Sequence, residues 1–192
     1  MIREAIITTQ NTDGAVHIAP MGVHVCAEQL LIMPFQPSIT LDNILSSRQA
    51  IINYSDDIRI FAGCLTGRKN WPLSNADILD GKRLAGALAH AELKLERIEN
   101  DPQRPKLYCN IIHEAVHAPF LGFNRAQYSV LEAAILVSRL HLLPWQKVKT
   151  ELAYLSIGID KTAGPKEREA WGWLMERIEE FQQKNPDKVA GL

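Results

Sequence analysis

Two short stretches gather residues whose types and spacing allow chemistry. The first is His113-Glu114-Ala115-Val116-His117. On a helix, H-E-x-x-H sets two imidazoles one turn apart to hold a zinc ion, with the glutamate as general base. Here Pro105 and Pro119 bracket the motif, and Tyr108-Cys109-Asn110-Ile111-Ile112 has the composition of a strand. In a strand, His113 and His117 share a face but stand about 13 Å apart, at roughly 3.3 Å per residue. One zinc, about 2 Å from each nitrogen, does not span that gap. The expectation is therefore no metal centre and no metalloprotease chemistry.

The second stretch is Pro34-Phe35-Gln36-Pro37-Ser38-Ile39-Thr40-Leu41-Asp42-Asn43-Ile44. The prolines block a helix up to residue 37 and hold the residues before them extended. A helix can then begin with Ser38 or Thr40 as its N-cap, leaving first-turn N–H groups and the positive end of the helix dipole outward. Such an end suits a phosphate. The same residues also serve simple capping, with Asn43 turned to solvent, and the stretch alone leaves both readings open.

The elements that must position these groups follow from the pattern of the chain. Ala5–Thr9 reads as a strand, Asn11-Thr12-Asp13-Gly14 as a turn, and Val16–Ala19 as the returning strand of a hairpin. Val16 and Ile18 share one parity, whereas Val23 and Val25 take the other, which predicts a bulge or kink at Pro20-Met21-Gly22. Glu28–Phe35 forms a third strand, the capped helix runs to about Ser46, and Ala50–Tyr54 is an apolar strand with Asn53 inside it. If buried, Asn53 needs backbone, water or a ligand's polar edge as partner. A short helix follows Asp56 and ends near Gly67, and residues 68–80 read as a polar loop. Residues 83–99, rich in alanine and leucine, allow helix or strand; 87–97 is read as a strand because its apolar residues fit a 3.6 period poorly, with 106–117 as its antiparallel partner across the turn Asn100-Asp101-Pro102-Gln103-Arg104-Pro105.

The last third is helical. Asn124 caps a helix running to about Leu143, with Tyr128, Leu131, Ile135 and Leu142 along one stripe and Pro144 as its stop. A second helix from Trp145 carries Val148, Leu152 and Leu155 at helical spacing. A third, with Pro165 in its first turn, carries a core stripe of Trp171, Leu174, Met175, Ile178 and Phe181. Arg125, Glu132 and Arg139 form a polar line read as a structural ion ladder, and Lys161, in the loop before the third helix, either reaches an anion or is simply solvated. About six strands followed by three helices make an α+β chain.

A chain of 192 residues, 46% apolar and 22% charged, has the composition of an ordinary globular protein. With 21 basic and 22 acidic residues and no run of like charge, it predicts neither a nucleic-acid footprint nor a membrane-surface patch. Three scattered cysteines, Cys26, Cys64 and Cys109, point to reduced thiols in a cytoplasmic protein. The N-terminus shows no secretion signal, and no apolar run is long enough to span a bilayer.

Taken together, ITTQNTDGAVHIAPMGV, LLIMPFQPSITLDNI and AIINYSDD, with GFNRAQ, LEAAI and KTAGP in the last third, resemble the FMN-binding split-barrel proteins of the flavin-reductase-like superfamily. The nearer match is to an uncharacterised family within it, and it covers nearly the whole chain. The resemblance implies a six-stranded antiparallel split barrel over residues 1–121 that binds FMN, followed by a helical subdomain over 122–192 packed on the barrel. It implies a homodimer with flavin near the interface and a small-molecule redox substrate such as a nicotinamide. By the same resemblance, Ser38, Thr40 and Asn43 meet the FMN phosphate and ribityl chain, and the backbone of Pro20, Met21 and Gly22 lies beside the isoalloxazine. Thr9, Asn53, Lys161 and His24 are further implied contacts. The activity implied is that of an FMN-dependent oxidoreductase, with the flavin taking hydride from NAD(P)H. The alternatives are a non-catalytic FMN-binding accessory, in a setting of tetrahydromethanopterin-type one-carbon metabolism, and an interaction protein without cofactor.

Overall fold

A computed structural model of the chain describes residues 1–186 and 188. Two compact units divide it: residues 1–56 with 70–120, and residues 57–69 with the chain from 121 onward.

The first unit is built on β1 (Ile2–Gln10), β2 (Val16–Cys26), β3 (Gln29–Ile32), β4 (Gln49–Tyr54), β7 (Ala89–Glu99) and β8 (Lys106–Val116). They close into an antiparallel barrel in the order β1-β2-β3-β8-β7-β4. The β1–β2 turn is held by Asn11, whose Oδ1 accepts from the N–H groups of Asp13 and Ala15, and by Gly14 at φ +83°, a torsion that glycine adopts without strain. Alternation along the strands sends Ala5, Ile7, Val23, Leu30, Ile32, Ile52, Leu93 and Leu107 inward. The helix α1 (Ile39–Ser47) adds Leu41 and Ile44 to this core.

The opposite faces of β1, β4 and β7 are also buried, which accounts for the unbroken apolar run of β4. The excursion between β4 and β7 covers them, carrying the small sheet of β5 (Leu73–Asn75) and β6 (Lys82–Leu84). Three polar side chains anchor it. Thr8 Oγ1 donates to Lys82 O at 2.6 Å, Asn53 Oδ1 accepts from Leu84 N at 2.7 Å, and the Glu92 carboxylate accepts from the N–H groups of Asp77, Ile78 and Leu79. The polar composition of residues 68–80 hid this pairing, so the expected loop contains a strand.

The expected bulge at Pro20–Gly22 is absent. β1 and β2 pair without a slip from Ile2 opposite His24 to Gln10 opposite Val16. The change of parity has another cause: Val16 and Ile18 lie on the opposite pleat face from Val23 and Val25, with Ile18 paired to Thr8 and buried on the outer face while Val23 and Val25 join the barrel core. Residue slips occur instead between β7 and β8, at Glu92/Leu93 and at Leu95/Arg97. β3 is shorter than the expected 28–35, ending two residues before Pro34.

In the second unit, α2 (Arg59–Leu65), α3 (Arg125–Ser138), α4 (Trp145–Thr162) and α5 (Pro165–Lys184) pack together. A division at residue 121 leaves α2 with the barrel; in the structure its apolar residues Ile60, Phe61 and Ala62 are buried in a helix that packs on α3 and α5. The segments GFNRAQ and KTAGP meet here. Asn124 caps α3 through Oδ1 and donates from Nδ2 to Thr162 O, while Thr162 Oγ1 accepts from Ala126 N. Glu167 then binds Gln127 Nε2 and Gly164 N.

The expected α3 stripe is corrected. Tyr128 and Leu142 are exposed, and Ala126, Val130, Ala133, Ala134 and Val137 are buried. Small residues win that face because α4 approaches closely at Gly158, where a Cβ would collide with Ser129 Oγ. The helix also ends at Ser138, five residues before the expected Leu143. Among the described residues, no helix is long and apolar enough to cross a membrane.

Candidate functional site

The turn from β3 into α1 forms as its prolines require. Ser38 sits at φ −158°, ψ 147° and its Oγ accepts from Leu41 N at 3.3 Å. Helix geometry leaves the N–H groups of Ile39 and Thr40 over. Thr40 is buried. Asn43 is buried too, rather than turned to solvent: its Nδ2 donates to Thr9 Oγ1 at 3.0 Å, tying α1 to β1. Arg104 is fixed on the approach to this turn, donating to Met33 O at 3.0 Å and lying 4.8 Å from the centre of the Phe35 ring.

α1 also packs on β2. Pro20, Met21 and Gly22 pair with Ile6, Ala5 and Glu4 of β1, and on their other edge they have no neighbouring strand among the described residues. Gly22 lies so close to β1 that an added Cβ would stand 3.0 Å from Ile2 Cγ2. His24 pairs with Ile2 and Leu31 inside the sheet. A small cavity of about 20 Å³ touches Thr9, Gln10, Ser47, Gln49 and Gly81, room for one water rather than a flavin.

Asn53 has a different place. Its Nδ2 contacts Ile6 O, Thr8 Oγ1 and Ile51 O at 3.1–3.4 Å, and its Oδ1 takes the Leu84 N–H. The protein occupies its hydrogen-bonding capacity, so its side chain anchors the excursion. Lys161 belongs to the second unit, exposed in the last turn of α4.

A second group of polar residues lies on the outer face of β7 and β8. β8 is a strand, as expected, yet His113 and His117 both reach His90 of β7. The His90 and His117 rings stack at 5.1 Å, 10° apart in plane, with His90 Nδ1 2.9 Å from His117 Nε2. His90 Nε2 lies 3.2 Å from Glu92 Oε1 and 3.9 Å from Asp77 Oδ2, and His113 Nε2 lies 3.1 Å from Asp77 Oδ2. Both runs are satisfied when His117 donates to His90 and His90 donates to Glu92.

His90 and Glu92 are 1% and 0% exposed, whereas Asp77, His113 and His117 open to solvent. Burial raises the Glu92 carboxyl's pKa, but Leu79 N–H, His90 and the N–H groups of Asp77 and Ile78 outweigh it and hold the group net below the usual carboxylate value. The His113 hydrogen bond holds Asp77 low as well. Burial first, then the Arg83 and His90 charges, hold the His117 pKa below the usual imidazole value.

The fold is that of a closed six-stranded antiparallel barrel in the order β1-β2-β3-β8-β7-β4, with a helical unit after it. The chain belongs to the family described as protein of unknown function DUF447: its N-terminal-domain model matches residues 3–118 and its second model residues 124–176. Among solved structures, an FMN-bound protein of that family from Methanosarcina mazei is similar at TM-score 0.78 and 19% identity, over 92% of this chain and 94% of that one. The 2-nitrobenzoate 2-nitroreductase of Pseudomonas fluorescens is similar at 0.54 and 21%, over 59% of this chain and 64% of that one. An FMN-binding protein from Thermus thermophilus, with bound p-hydroxybenzaldehyde, matches at 0.52 and 13%, over 62% and 74%. No protein of curated function matches this chain.

Proposed function

We propose that this chain is an FMN-binding flavoprotein of the flavin-reductase type, acting as an FMN-dependent oxidoreductase. The observation that carries the reading is the likeness, along nearly the whole chain, to the FMN-bound protein of Methanosarcina mazei from the same family. The groups present in the barrel unit fit such a cofactor. Ser38, the leftover N–H groups of Ile39 and Thr40, and the Thr40 hydroxyl suit a phosphate at a helix start. Arg104 is the cation placed beside that turn, and its guanidinium would offset the phosphate charge that Asp42 in the first turn opposes. The edge of Pro20–Gly22 without a strand neighbour offers backbone groups to the isoalloxazine.

FMN, when bound, supplies hydride chemistry, and the chain's own residues bind and orient it. Thr9 holds Asn43, and so α1, in place behind the phosphate turn. A homodimer is part of the proposal. Its support in the barrel unit is Val116, a large apolar residue at the end of β8 that is 81% exposed, surface of the kind that a partner subunit covers.

Anaerobic addition of NADH or NADPH to the FMN-loaded protein tests the activity. Loss of the visible flavin band with either nicotinamide is expected. A flavin that stays bound and oxidised with both sinks the nicotinamide-dependent oxidoreductase and leaves a carrier or accessory.

A further inference from the structure

We propose that Asp77, His90 and His113, with Glu92 beside them, form a binding site for one divalent transition-metal ion of the zinc class. The ligand atoms that these four side chains offer all lie within 4.8 Å of one another. An ion about 2.0–2.2 Å from each donor needs donors roughly 3.3 Å apart in a tetrahedral shell. The gaps of 3.1 Å between His113 and Asp77, 3.9 Å between His90 and Asp77 and 3.2 Å between His90 and Glu92 bracket that spacing. Two imidazoles and a carboxylate are a common zinc set, and nitrogen donors favour zinc-class ions over magnesium or calcium.

The surroundings suit a metal centre. A histidine that ligates through Nε2 ordinarily donates its Nδ1–H to an acceptor that fixes the ring. His90 has that partner, because His117 Nε2 lies 2.9 Å from His90 Nδ1. On ion binding, His90 and His117 would both change tautomer, His90 then donating from Nδ1. Glu92 is held rigidly by three consecutive N–H groups, so the loop that carries Asp77 is pinned against β7. The half-exposed His113 and Asp77 form the way in from solvent. The residue slip between Glu92 and Leu93 lies beside this group, a place where bulges re-aim side chains.

The arrangement differs from the helical H-E-x-x-H site. His113 is a ligand, His117 supports His90 from behind, and Glu114 takes no part. The site uses none of the groups proposed to hold flavin, so the two readings stand or fall separately.

The test is a titration of zinc, and of cobalt as a spectroscopic probe, into purified full-length protein dialysed against a chelator. One equivalent of zinc with micromolar or tighter affinity is expected, together with a cobalt spectrum of low coordination number. H113A and D77N should each weaken zinc binding at least tenfold, and H117A by about 10–100-fold, while H141A in the second unit retains it. Because Asp77 is exposed and its backbone N–H survives in D77N, that variant tests the site independently of folding; circular dichroism checks each variant. Binding weaker than micromolar in the wild type, or an affinity that D77N and H113A leave unchanged, overturns the proposal.

Discussion

Replacing Glu92 by alanine is expected to destabilise the barrel unit by about 3–5 kcal/mol, the range seen when one partner of a buried ionic arrangement is removed. The cause is local. Three N–H groups, those of Asp77, Ile78 and Leu79, converge on this buried carboxylate, and alanine leaves them and His90 without their acceptor. Each unsatisfied buried group costs about 1–3 kcal/mol, so relaxation of the loop must recover part of the sum. Glutamine should fall between the two, since it keeps one acceptor oxygen but turns a donor toward other donors.

The effect also carries a pH signature. Glu92 has a folded-state pKa below its ordinary value of 4.5. Its contribution to stability is therefore fully present above that value and is lost as pH falls through the lowered folded value. Urea unfolding followed by circular dichroism at neutral pH and along an acid series should show E92A destabilised at pH 7 and less sensitive to acid than the wild type. Equal stability at pH 7 would mean that the three N–H groups find other partners.

Asn53→Ala is the second large effect, about 2–4 kcal/mol by the same reasoning for buried polar groups left unpaired. Asn53 is 0% exposed and joins three segments: β1 through Ile6 and Thr8, its own strand through Ile51, and β6 through Leu84. Truncation orphans Leu84 N in particular. Hydrogen exchange should then locate the damage, with amides of residues 76–88 losing protection before those of the β1–β2 hairpin. Uniform loss of protection would show that Asn53 supports the whole barrel rather than the excursion over it. Asn53→Asp should be no rescue, since the carboxylate lacks the donors that Ile6 O requires.

Much of this architecture is written in local patterns. The strands of the hairpin, the capped start of α1, the Asn100–Pro105 turn and the three C-terminal helices follow from β-branched composition, prolines and helical spacing, although α3 stops at Ser138, short of Pro144. What the sequence conceals depends on which face another element covers. The Pro20–Gly22 parity change looks like a bulge because burial of Ile18 on the outer face, opposite to that of Val23, is invisible from β2 alone. The α3 stripe is misplaced because Tyr128 and Leu142 outweigh alanines in any hydrophobicity count, while the close approach of Gly158 selects the alanines.

The histidine group was hidden in a similar way. β8 is a strand, as its composition predicts, but the neighbours of His113 and His117 lie on the adjacent strand, where both meet His90. Folding the chain about the Asn100–Pro105 turn sets Glu92 opposite His113, and His90 two residues on. That pairing was the available signal; Asp77 had none, since a loop residue is placed only by the Glu92 carboxylate that gathers the loop's N–H groups. Among the flavin-site candidates, Thr40 and Asn43 were legible as a helix start, whereas their burial and the Asn43–Thr9 bond were not.

The central claim, that the barrel unit holds FMN at the start of α1, is tested most directly by titrating FMN into flavin-free protein and following flavin fluorescence, with T40A measured beside the wild type. Saturable binding of one FMN per chain is predicted, weakened in T40A without change in the circular dichroism spectrum. A protein that stays colourless and leaves free flavin fluorescence unaltered contradicts the account.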